Sequence, residues 1–419
     1  MKSKRLSRFV LPCLLVLFGS AFSVSVESAD TASVVTHGPL LGEVTSSSVR
    51  IWARTNGPGA IEFHFGKDPA SLHGVSEKIE TTAAHDFTGW TTLHGLDPDT
   101  EYVASVFIDG NPAGVPATFH TLPDSNALRD QKHNPRGLFN FSFTFGSCAN
   151  QNPLHGIGPS LPTYATFLDN HADEVDFQIM NGDWLYEELR TTPVDVWADK
   201  QGVDGEQLPE VVRDMPTIVG VWENYKLYLD RGTNLSAWHR KVPGFFTFDD
   251  HELVNDIWGA GSTGRRNRRA VFRDIGTRAW LDYLGWANPA AYPHTVHHGQ
   301  ATLTAESDVL VDTNADFTSL PLDEMLNLHV HWGTPEAGVN DLRYDDDALG
   351  DPNSRVYEIR EVLDKHRVRI FPVPTADGKV HYSIGRRSYG SFRVANCEFF
   401  LLDTRGARQM HDTSRPHQP

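Results

Sequence analysis

Residues 175–188, VDFQIMNGDWLYEE, constrain the fold more than any other stretch of the chain. The stretch begins as a short apolar run with β-branched and aromatic residues, which is typical of a buried strand. It then reaches Asn181-Gly182-Asp183, where the glycine permits a sharp turn and the aspartate falls at the carboxyl end of the strand. Because ligands bind at that edge of open α/β sheets, the pattern predicts a functional site beside Asp183.

Two other apolar runs end in reactive side chains in the same way. FNFSFTF leads to Cys148, and GFFTF leads to Asp249-Asp250-His251-Glu252. Three strands that deliver thiol, carboxylate and imidazole groups at their ends predict one site assembled from three places. Helical stretches such as PTYATFLDNHADE, PTIVGVWENYKLYLDRG and RRAVFRDIGTRAWLDYLGW alternate with the strands, so we expect a layered α/β domain. Three antiparallel strands are expected near the C-terminus, at residues 380–384, 391–394 and 397–402.

The region before the α/β pattern predicts an all-β domain. Short alternating strands recur with regular turns, and Val49, Ile51 and Ala53 share one face of the first clear strand. In LDPDTEY we expect Tyr102 to hydrogen-bond back to its own turn, and this segment resembles a fibronectin type III-like sandwich. The predicted organisation is a signal peptide at 1–29, a β-sandwich at 30–123, a linker at 124–137 and a catalytic domain at 138–419.

The N-terminus predicts export. A basic segment precedes an apolar run at residues 10–21, and small residues follow, so cleavage could fall after Ser23 or Ala29. An uncleaved membrane anchor is the alternative, but the apolar run is too short to span a bilayer comfortably. We therefore expect a periplasmic or secreted protein without a stable membrane anchor.

The length of the chain fits two domains, and its composition indicates a globular protein that does not mainly bind nucleic acid. The hydrophobic fraction is 39%, and the formal net charge is −17. Proteins that bind nucleic acid mainly through phosphate contacts need an excess of Lys and Arg, so nucleic acid is not expected as the main partner. The two cysteines beyond the leader, Cys148 and Cys397, could pair in an exported protein, but Cys148 also lies at a predicted strand end.

The strand ends together offer a mixed set of metal donors. Asp183 is a hard oxygen ligand, and Tyr186 would point to the same side if it lay on the first turn of a helix. Cys148, His251 and Asn255 add sulfur, nitrogen and amide oxygen donors. Such a set suits transition metals and, on its oxygen-rich side, calcium. Two metals can clamp the attacking and leaving oxygens of a displacement at phosphorus.

Four motifs in order resemble the PhoD-like (alkaline phosphatase D) family of metallophosphoesterases. They are F-x-F-G-S-C, G-D-x-x-Y-E, F-D-D-H-E-x-x-N and L-L-D-T-R, and the resemblance covers most of the chain from residue 139 to residue 408. The resemblance implies a fibronectin type III-like domain followed by an αββα metallophosphoesterase sandwich. It also implies hydrolysis of a small-molecule phosphoester, monoester or diester, by a metal-bound hydroxide at alkaline pH.

The resemblance also implies roles for individual residues. Asp183 would bridge two metals, Tyr186 and Cys148 would bind Fe(3+), and Asn255 would bind Ca(2+). Catalytic roles would fall to Asp250 and His251, of which the histidine would stabilise the transition state or protonate the leaving oxygen. Asp256 departs from the family pattern and would make the calcium side of the site more negative. Asp403 and Arg405 match the family's L-D-T-R and would support the sheet.

One departure from the family pattern concerns the C-terminus. The family continues beyond L-D-T-R to a G-D-x-H block that supplies further ligands, whereas this sequence stops at Pro419. We therefore expect an incomplete catalytic domain, and the alternatives are an inactive binding or structural protein or a hydrolase like the purple acid phosphatases. Cys148 in place of an early aspartate ligand counts against the latter.

Several other groups have competing interpretations. An arginine-rich stretch could clamp phosphate, but the pattern favours a solvated helix face; its members are Arg265, Arg266, Arg268, Arg269 and Arg273. His329 and His331 share a strand face and could bind a metal, although no carboxylate accompanies them in sequence. The histidines predicted to lie on the surface are His294, His297 and His298.

Overall fold

The computed structural model describes residues 33–154, 156–257, 259–265, 268–289, 296–321, 324–331 and 352–406. The predicted signal peptide, His294 and Arg266 lie outside these residues. All described residues belong to one compact unit, Ser33–Pro419. Within the described part of the chain, no helix is both long and apolar enough to cross a bilayer.

Two antiparallel sheets form the N-terminal region. Their strands are β1 (Val35–Val44), β2 (Ser48–Thr55), β3 (Gly59–Gly66), β4 (Gly74–Val75), β5 (Ile79–Thr81), β6 (Thr88–His94), β7 (Glu101–Ile108) and β8 (Asn111–His120). One sheet has the order β1-β2-β6, and the other consists of β4-β3-β7-β8 with β5 paired to β3. The all-β prediction is confirmed at this level, while the fibronectin type III-like identity stays a prediction.

Side chains in this region occupy the predicted places. Val49, Ile51 and Ala53 are fully buried between the sheets. The hydroxyl of Tyr102 accepts a 2.8 Å hydrogen bond from the backbone N–H of Asp97, which confirms the expected tyrosine contact with the turn. Residues 124–137 then form turns with a single bridge pair, and the proposed domain boundaries stay predictions.

A three-stranded parallel sheet follows and positions the candidate site. Its region comprises β9 (Phe143–Gly146), α1 (Pro162–Asn170), β10 (Phe177–Asn181), α2 (Val194–Gln201), α3 (Glu210–Asp214), α4 (Ile218–Arg231), α5 (Thr233–His239), β11 (Gly244–Thr247) and α6 (Arg268–Tyr283). The strand order is β11-β10-β9. Asn181 is in register with Thr247 and Met180 with Gly146, so the three carboxyl ends lie side by side.

The helices pack around an aromatic core that also takes side chains from the sandwich. Trp222 and Tyr225 of α4 and Trp280 of α6 are fully buried in this core, as the apolar spacing of those helices predicts. Leu40 of β1 and Trp52 of β2 enter the same core. The two regions therefore share apolar surface, whose burial is the main favourable term in folding.

One buried carboxylate ties the sandwich to three helices. Asp86 is fully buried and accepts bonds from Arg54 Nε (3.2 Å), Trp197 Nε1 (3.0 Å), Lys226 Nζ (3.1 Å) and Tyr283 Oη. Burial alone would raise the pKa of Asp86, but the charges of Lys226 and Arg54 outweigh it and lower the pKa to about 2. The carboxylate is thus ionised and paired inside the protein.

A closed six-stranded barrel follows α6, and the sequence patterns did not predict it. Its strands are β12 (His297–Leu303), β13 (Val309–Val311), β14 (Met325–Val330), β15 (Val356–Asp364), β16 (Arg367–Phe371) and β17 (Gly378–Arg386). The order is β12-β13-β16-β15-β14-β17, and β12 pairs with β17 along seven residues to close it. The predicted αββα layering is not confirmed by the sheets of the described residues.

A final hairpin packs on the parallel sheet. It consists of β18 (Gly390–Val394) and β19 (Cys397–Leu401). With β17 of the barrel, all three strands expected near the C-terminus are present. The rings of Phe392 and Phe245 stack with their centroids 3.7 Å apart, and Phe399 packs against Phe177 and Phe143. This hairpin delivers the L-L-D-T-R segment to the edge where the candidate site lies.

Candidate metal centre

The three predicted strand ends converge. Cys148, Asp183 and Asp250 follow β9, β10 and β11, and the loop carrying Cys148 is bonded to the loop carrying Asp183 through Cys148 N–H to Gly182 O (3.3 Å). Donor atoms of Asp183, Asp250 and His251 all lie within 4.8 Å of one another. The site expected from three separate stretches is therefore one cluster.

Asp183 lies at the centre of this cluster. Its Oδ2 accepts the Sγ–H of Cys148 (3.3 Å) and the hydroxyl of Tyr186 (3.4 Å). Its Oδ1 is buried and has no hydrogen-bond partner among the described residues. Gly182 precedes it at φ +79°, and a Cβ there would come within 2.5 Å of Asp249 Cβ, so the close approach of the two loops requires glycine. A carboxylate oxygen left without a donor beside thiol and phenol groups fits a cation ligand.

The electrostatics of the cluster also fit a cation. Burial raises the pKa of Asp183, although the neighbouring His251 partly opposes the shift. Burial and the charge of Asp183 raise the pKa of Tyr186 well above its ordinary value. Both shifts disfavour the ionised donors in the protein alone. A bound cation reverses that preference because it stabilises the anions directly.

His251 is oriented by a carboxylate that the sequence patterns had not assigned. Its Nδ1 lies 2.8 Å from Glu187 Oε2, and the other oxygen of Glu187 accepts the N–H of Asn255 at 2.7 Å. Burial lowers the pKa of His251, but the hydrogen bond and charge of Glu187 outweigh it, so the net shift is upward. Since Glu187 occupies Nδ1, Nε2 is the ring nitrogen left for a substrate. The final position of G-D-x-x-Y-E was the available signal for this residue.

Asp250 and Asp249 are fixed by Arg405. Asp250 accepts Arg405 Nη2 at 3.3 Å and the N–H of Asp256 at 2.7 Å, and Asp249 accepts Arg405 Nε. Asp403 in turn accepts the N–H of Arg405 at 3.1 Å. The L-D-T-R segment thus reaches the loop of the candidate catalytic pair.

Asn255 lies at the exposed rim of the site. Its side-chain amide donates to Asp256 Oδ2 at 3.2 Å, while its backbone is held by Glu187. Asp256 is also exposed and has φ +58°. Cys148, Asp183, Tyr186, Asp250 and His251 form the centre of the site, and among the described residues Asn255 is connected to it through Glu187 and Asp256.

The loop carrying Tyr186 is not helical, contrary to the expectation. Instead, side chains hold its backbone: Glu252 accepts the N–H groups of Asp183 (3.0 Å) and Trp184 (2.5 Å), and Asn224 accepts those of Glu188 and Leu189. The Tyr186 hydroxyl reaches Asp183 by this loop path. The predicted juxtaposition is present, but its predicted cause is wrong.

Glu252 is the second carboxylate that sequence reasoning left without a role. It is fully buried, and its oxygens also accept the N–H of Asp249 at 2.9 Å. Burial raises the pKa of Glu252 to about 7, against the lowering by its backbone hydrogen bonds. Its place in F-D-D-H-E was visible in the sequence, but its backbone partners were not.

The arginine-rich stretch was interpreted wrongly at Arg273. This side chain is fully buried on α6, and it pairs with Asp274 (3.3 Å) and Asp403 (3.1 Å). It is neither a solvated residue nor available to clamp phosphate. Arg265 is exposed, while Arg266 and the side chains of Arg268 and Arg269 lie outside the described residues.

The pair of His329 in β14 and His331 directly after it does not form a metal site. Both nitrogens of His329 are engaged, one with Asp274 Oδ2 and the other with Ala260 O, each at 2.7 Å. His331 Nε2 is bonded to Ser383 Oγ at 2.7 Å, and burial lowers the pKa of His331 to about 3. The missing carboxylate partner was Asp274, which is distant in sequence and reaches His329 from α6.

Two of the histidines expected on the surface are half-buried instead. His297 lies 2.9 Å from the Tyr382 hydroxyl, and burial lowers the pKa of His297 to about 4. His298 lies 3.1 Å from a carboxylate oxygen of Asp214. Cys148 and Cys397 are both free and exposed, so the alternative of a disulfide between them is not realised.

Comparisons with known proteins identify the region that carries this site. A family model described as PhoD-like phosphatase matches residues 143–302. No curated protein matches the sequence. The solved structure described as "Structure of PhoD" covers 62% of this chain at 17% identity and a TM-score of 0.43; the match spans 48% of that structure, about half its length.

Other matched structures cover a smaller share of the chain. The sensor domain of the anti-sigma factor RsgI4 from Pseudobacteroides cellulosolvens is 20% identical over 22% of this chain and 94% of its own, with a TM-score of 0.18. An FN3 domain of human collagen XX is 22% identical over 22% of this chain and 94% of its own, with a TM-score of 0.16.

Proposed function

We propose that this member of the PhoD-like phosphatase family, whose model matches residues 143–302, hydrolyses phosphoesters at a metal centre on the carboxyl edge of the parallel sheet. One observation carries the proposal. The donor atoms of Asp183, Asp250 and His251 lie within 4.8 Å of one another, and Asp183 Oδ1 has no hydrogen-bond partner among the described residues. All of these residues fall inside the matched region.

The donor set supports two kinds of metal. Asp183, Tyr186 and Cys148 would hold Fe(3+), since phenolate and carboxylate oxygens are hard donors. Asn255 would hold Ca(2+) with its amide oxygen, near the carboxylates of the same loop. When bound, such metals supply a nucleophile at mild pH and neutralise charge on the phosphoryl oxygens.

The residues of the chain itself would position the substrate and move a proton. His251 would donate a proton from Nε2 to the leaving oxygen, while Glu187 holds Nδ1 at 2.8 Å and keeps the ring in place. Asp250 would act with it, held by Arg405 and by the N–H of Asp256. Tyr186 would fix the plane of the imidazole, because the two ring centroids lie 4.0 Å apart.

We propose export to the periplasm or the medium and a small-molecule phosphoester, either a monoester or a diester, as substrate. The N-terminal region would act as a fibronectin type III-like scaffold for the catalytic region. Its contribution of Leu40 and Trp52 to the helical core supports this role.

One experiment tests the proposal against an inactive binding protein. The chain from Asp30 onward is purified, iron and calcium are measured by elemental analysis, and chromogenic mono- and diesters are assayed. We expect bound iron and turnover of at least one ester. A folded protein with neither metal nor turnover, even after addition of both metals, would overturn the proposal in favour of the binding protein.

A further inference from the structure

A buried carboxylate beneath the proposed centre joins two of its loops. Glu252 Oε2 accepts the N–H of Asp183 (3.0 Å) from the loop after β10 and that of Asp249 (2.9 Å) from the loop after β11. Its other oxygen, Oε1, accepts the N–H of Trp184 at 2.5 Å. A single oxygen atom therefore bridges the loop that carries Asp183 and the loop that carries the candidate catalytic pair.

The pairing of this carboxylate is unusual for a buried acidic group. Buried charges are generally paired with an opposite charge, but the hydrogen bonds to Glu252 come from backbone N–H groups. Arg190, which is also buried, donates Nη2 to the carbonyl oxygens of His251 (2.5 Å) and Glu252 (3.3 Å) rather than to the carboxylate. The hydrogen bonds of the Glu252 carboxylate therefore go to the backbone of the loops.

The loops it joins are also in direct contact. A Cβ on Gly182 would lie 2.5 Å from both Asp249 N and Asp249 Cβ, so the two backbones lie this close only because residue 182 is glycine. The glycine allows the two loops to lie close together, and the shared acceptor holds them at that distance. Together they determine the distance between the donors that each loop contributes.

We propose that Glu252 is a positioning residue that sets the spacing between Asp183 and the pair Asp250–His251, and thereby the affinity of the centre for metal. This inference rests on the proposed function. It differs from general support of the fold, because spacing of donors affects metal affinity whereas fold support affects the stability of the metal-free protein. Groups that orient ligands typically change metal affinity by about 10- to 100-fold when they are removed.

Glu252→Gln separates these roles. Glutamine has nearly the same size but replaces one acceptor oxygen with an NH₂ donor, so at least one of the three backbone N–H groups loses its partner. We expect the metal concentration for half-maximal activity to rise about 10- to 100-fold, with turnover recovering at high iron and calcium. The thermal midpoint of Glu252→Gln measured with added metal should lie close to the midpoint of the same variant without metal.

Asp176→Asn is the matched control. Asp176 Oδ2 accepts the N–H of Ser142 at 2.7 Å and so also links two strands of the same sheet through a backbone bond, but at the amino-terminal end. This variant should keep the wild-type metal requirement. If Glu252→Gln is insoluble, Glu252→Asp retains both oxygens on a shorter side chain and should show the same raised requirement.

The outcomes are distinguishable. An unchanged metal requirement in a folded Glu252 variant overturns the inference, as does an equal rise in Asp176→Asn. Wild-type protein that neither binds metal nor hydrolyses either ester overturns the proposed function itself.

Discussion

Replacing Glu187 with glutamine should move the alkaline limb of the pH–rate profile to lower pH. Glu187 Oε2 accepts the bond from His251 Nδ1 at 2.8 Å, and this contact is why the pKa of His251 is raised although burial lowers it. Without the carboxylate charge, burial dominates and the pKa of His251 falls. A histidine that donates a proton is active below its pKa, so activity is lost at lower pH in the variant.

The size of the shift follows from the strength of one hydrogen bond. A bond to a charged group contributes about 1.5–3 kcal/mol. Since about 1.4 kcal/mol corresponds to a factor of ten, kcat/KM at a fixed pH on the alkaline limb should be about 10- to 100-fold lower in the variant. The direction follows from the loss of the carboxylate that raises the pKa of His251.

The assay compares pH–rate profiles of the two proteins with a chromogenic phosphoester at saturating metal. Glu188→Gln is the control, because the neighbouring carboxylate pairs instead with Arg231 at 2.6 Å and 3.0 Å. That variant should keep the wild-type limb. If the limb stays in place in a folded Glu187→Gln protein, His251 is not the group that titrates there, and the assigned role of Glu187 is wrong.

Three further predictions concern the metals and the junction with the sandwich. Cys148→Ser should lower iron affinity by more than about tenfold without moving the thermal midpoint of the metal-free protein, because Cys148 is exposed; unchanged iron in elemental analysis refutes the ligand role. Chelation should abolish turnover, and iron with calcium should restore it, whereas turnover that survives chelation contradicts a metal centre. Asp86→Asn should reduce the free energy of unfolding in urea by about 3–5 kcal/mol, because Arg54 and Lys226 lose their buried partner. The pKa of Asp86 is about 2 in the folded state and 3.8 ordinarily, so the ionised Asp86 stabilises the fold by roughly 2 kcal/mol above pH 4. This stabilisation is lost as the pH falls towards 2. If acid unfolding is as steep in Asp86→Asn as in the wild type, Asp86 is not the group responsible.

The strand ends were predictable because local pattern and a general rule both apply to them. β10 is a continuous apolar run that ends in a glycine turn, and β9 and β11 have the same form. Once the three strands are parallel neighbours, their following residues must meet at one edge. The proximity of Asp183 to Cys148 follows from that rule.

The barrel was not predictable because its pairings are distant in sequence. β12 pairs with β17, although about 80 residues separate their centres, and β13 has only three residues. Arg273 was misread for a related reason. Its partner Asp403 lies 130 residues further along the chain, so a buried ion pair looked like a solvated helix face. Glu252 escaped notice because its partners are backbone N–H groups, which every residue type except proline provides.

The contacts of Asp86 limit how the sandwich of this protein can be exchanged by recombination. A single carboxylate from the sandwich engages Trp197, Lys226 and Tyr283, which belong to three different helices. Recombination that exchanged the sandwich for one from a relative would have to preserve an acid at this position and its partners in the other half. We therefore expect a chimera to be soluble only when its sandwich has an acid at the position of Asp86 and its helices keep the partners Trp197, Lys226 and Tyr283.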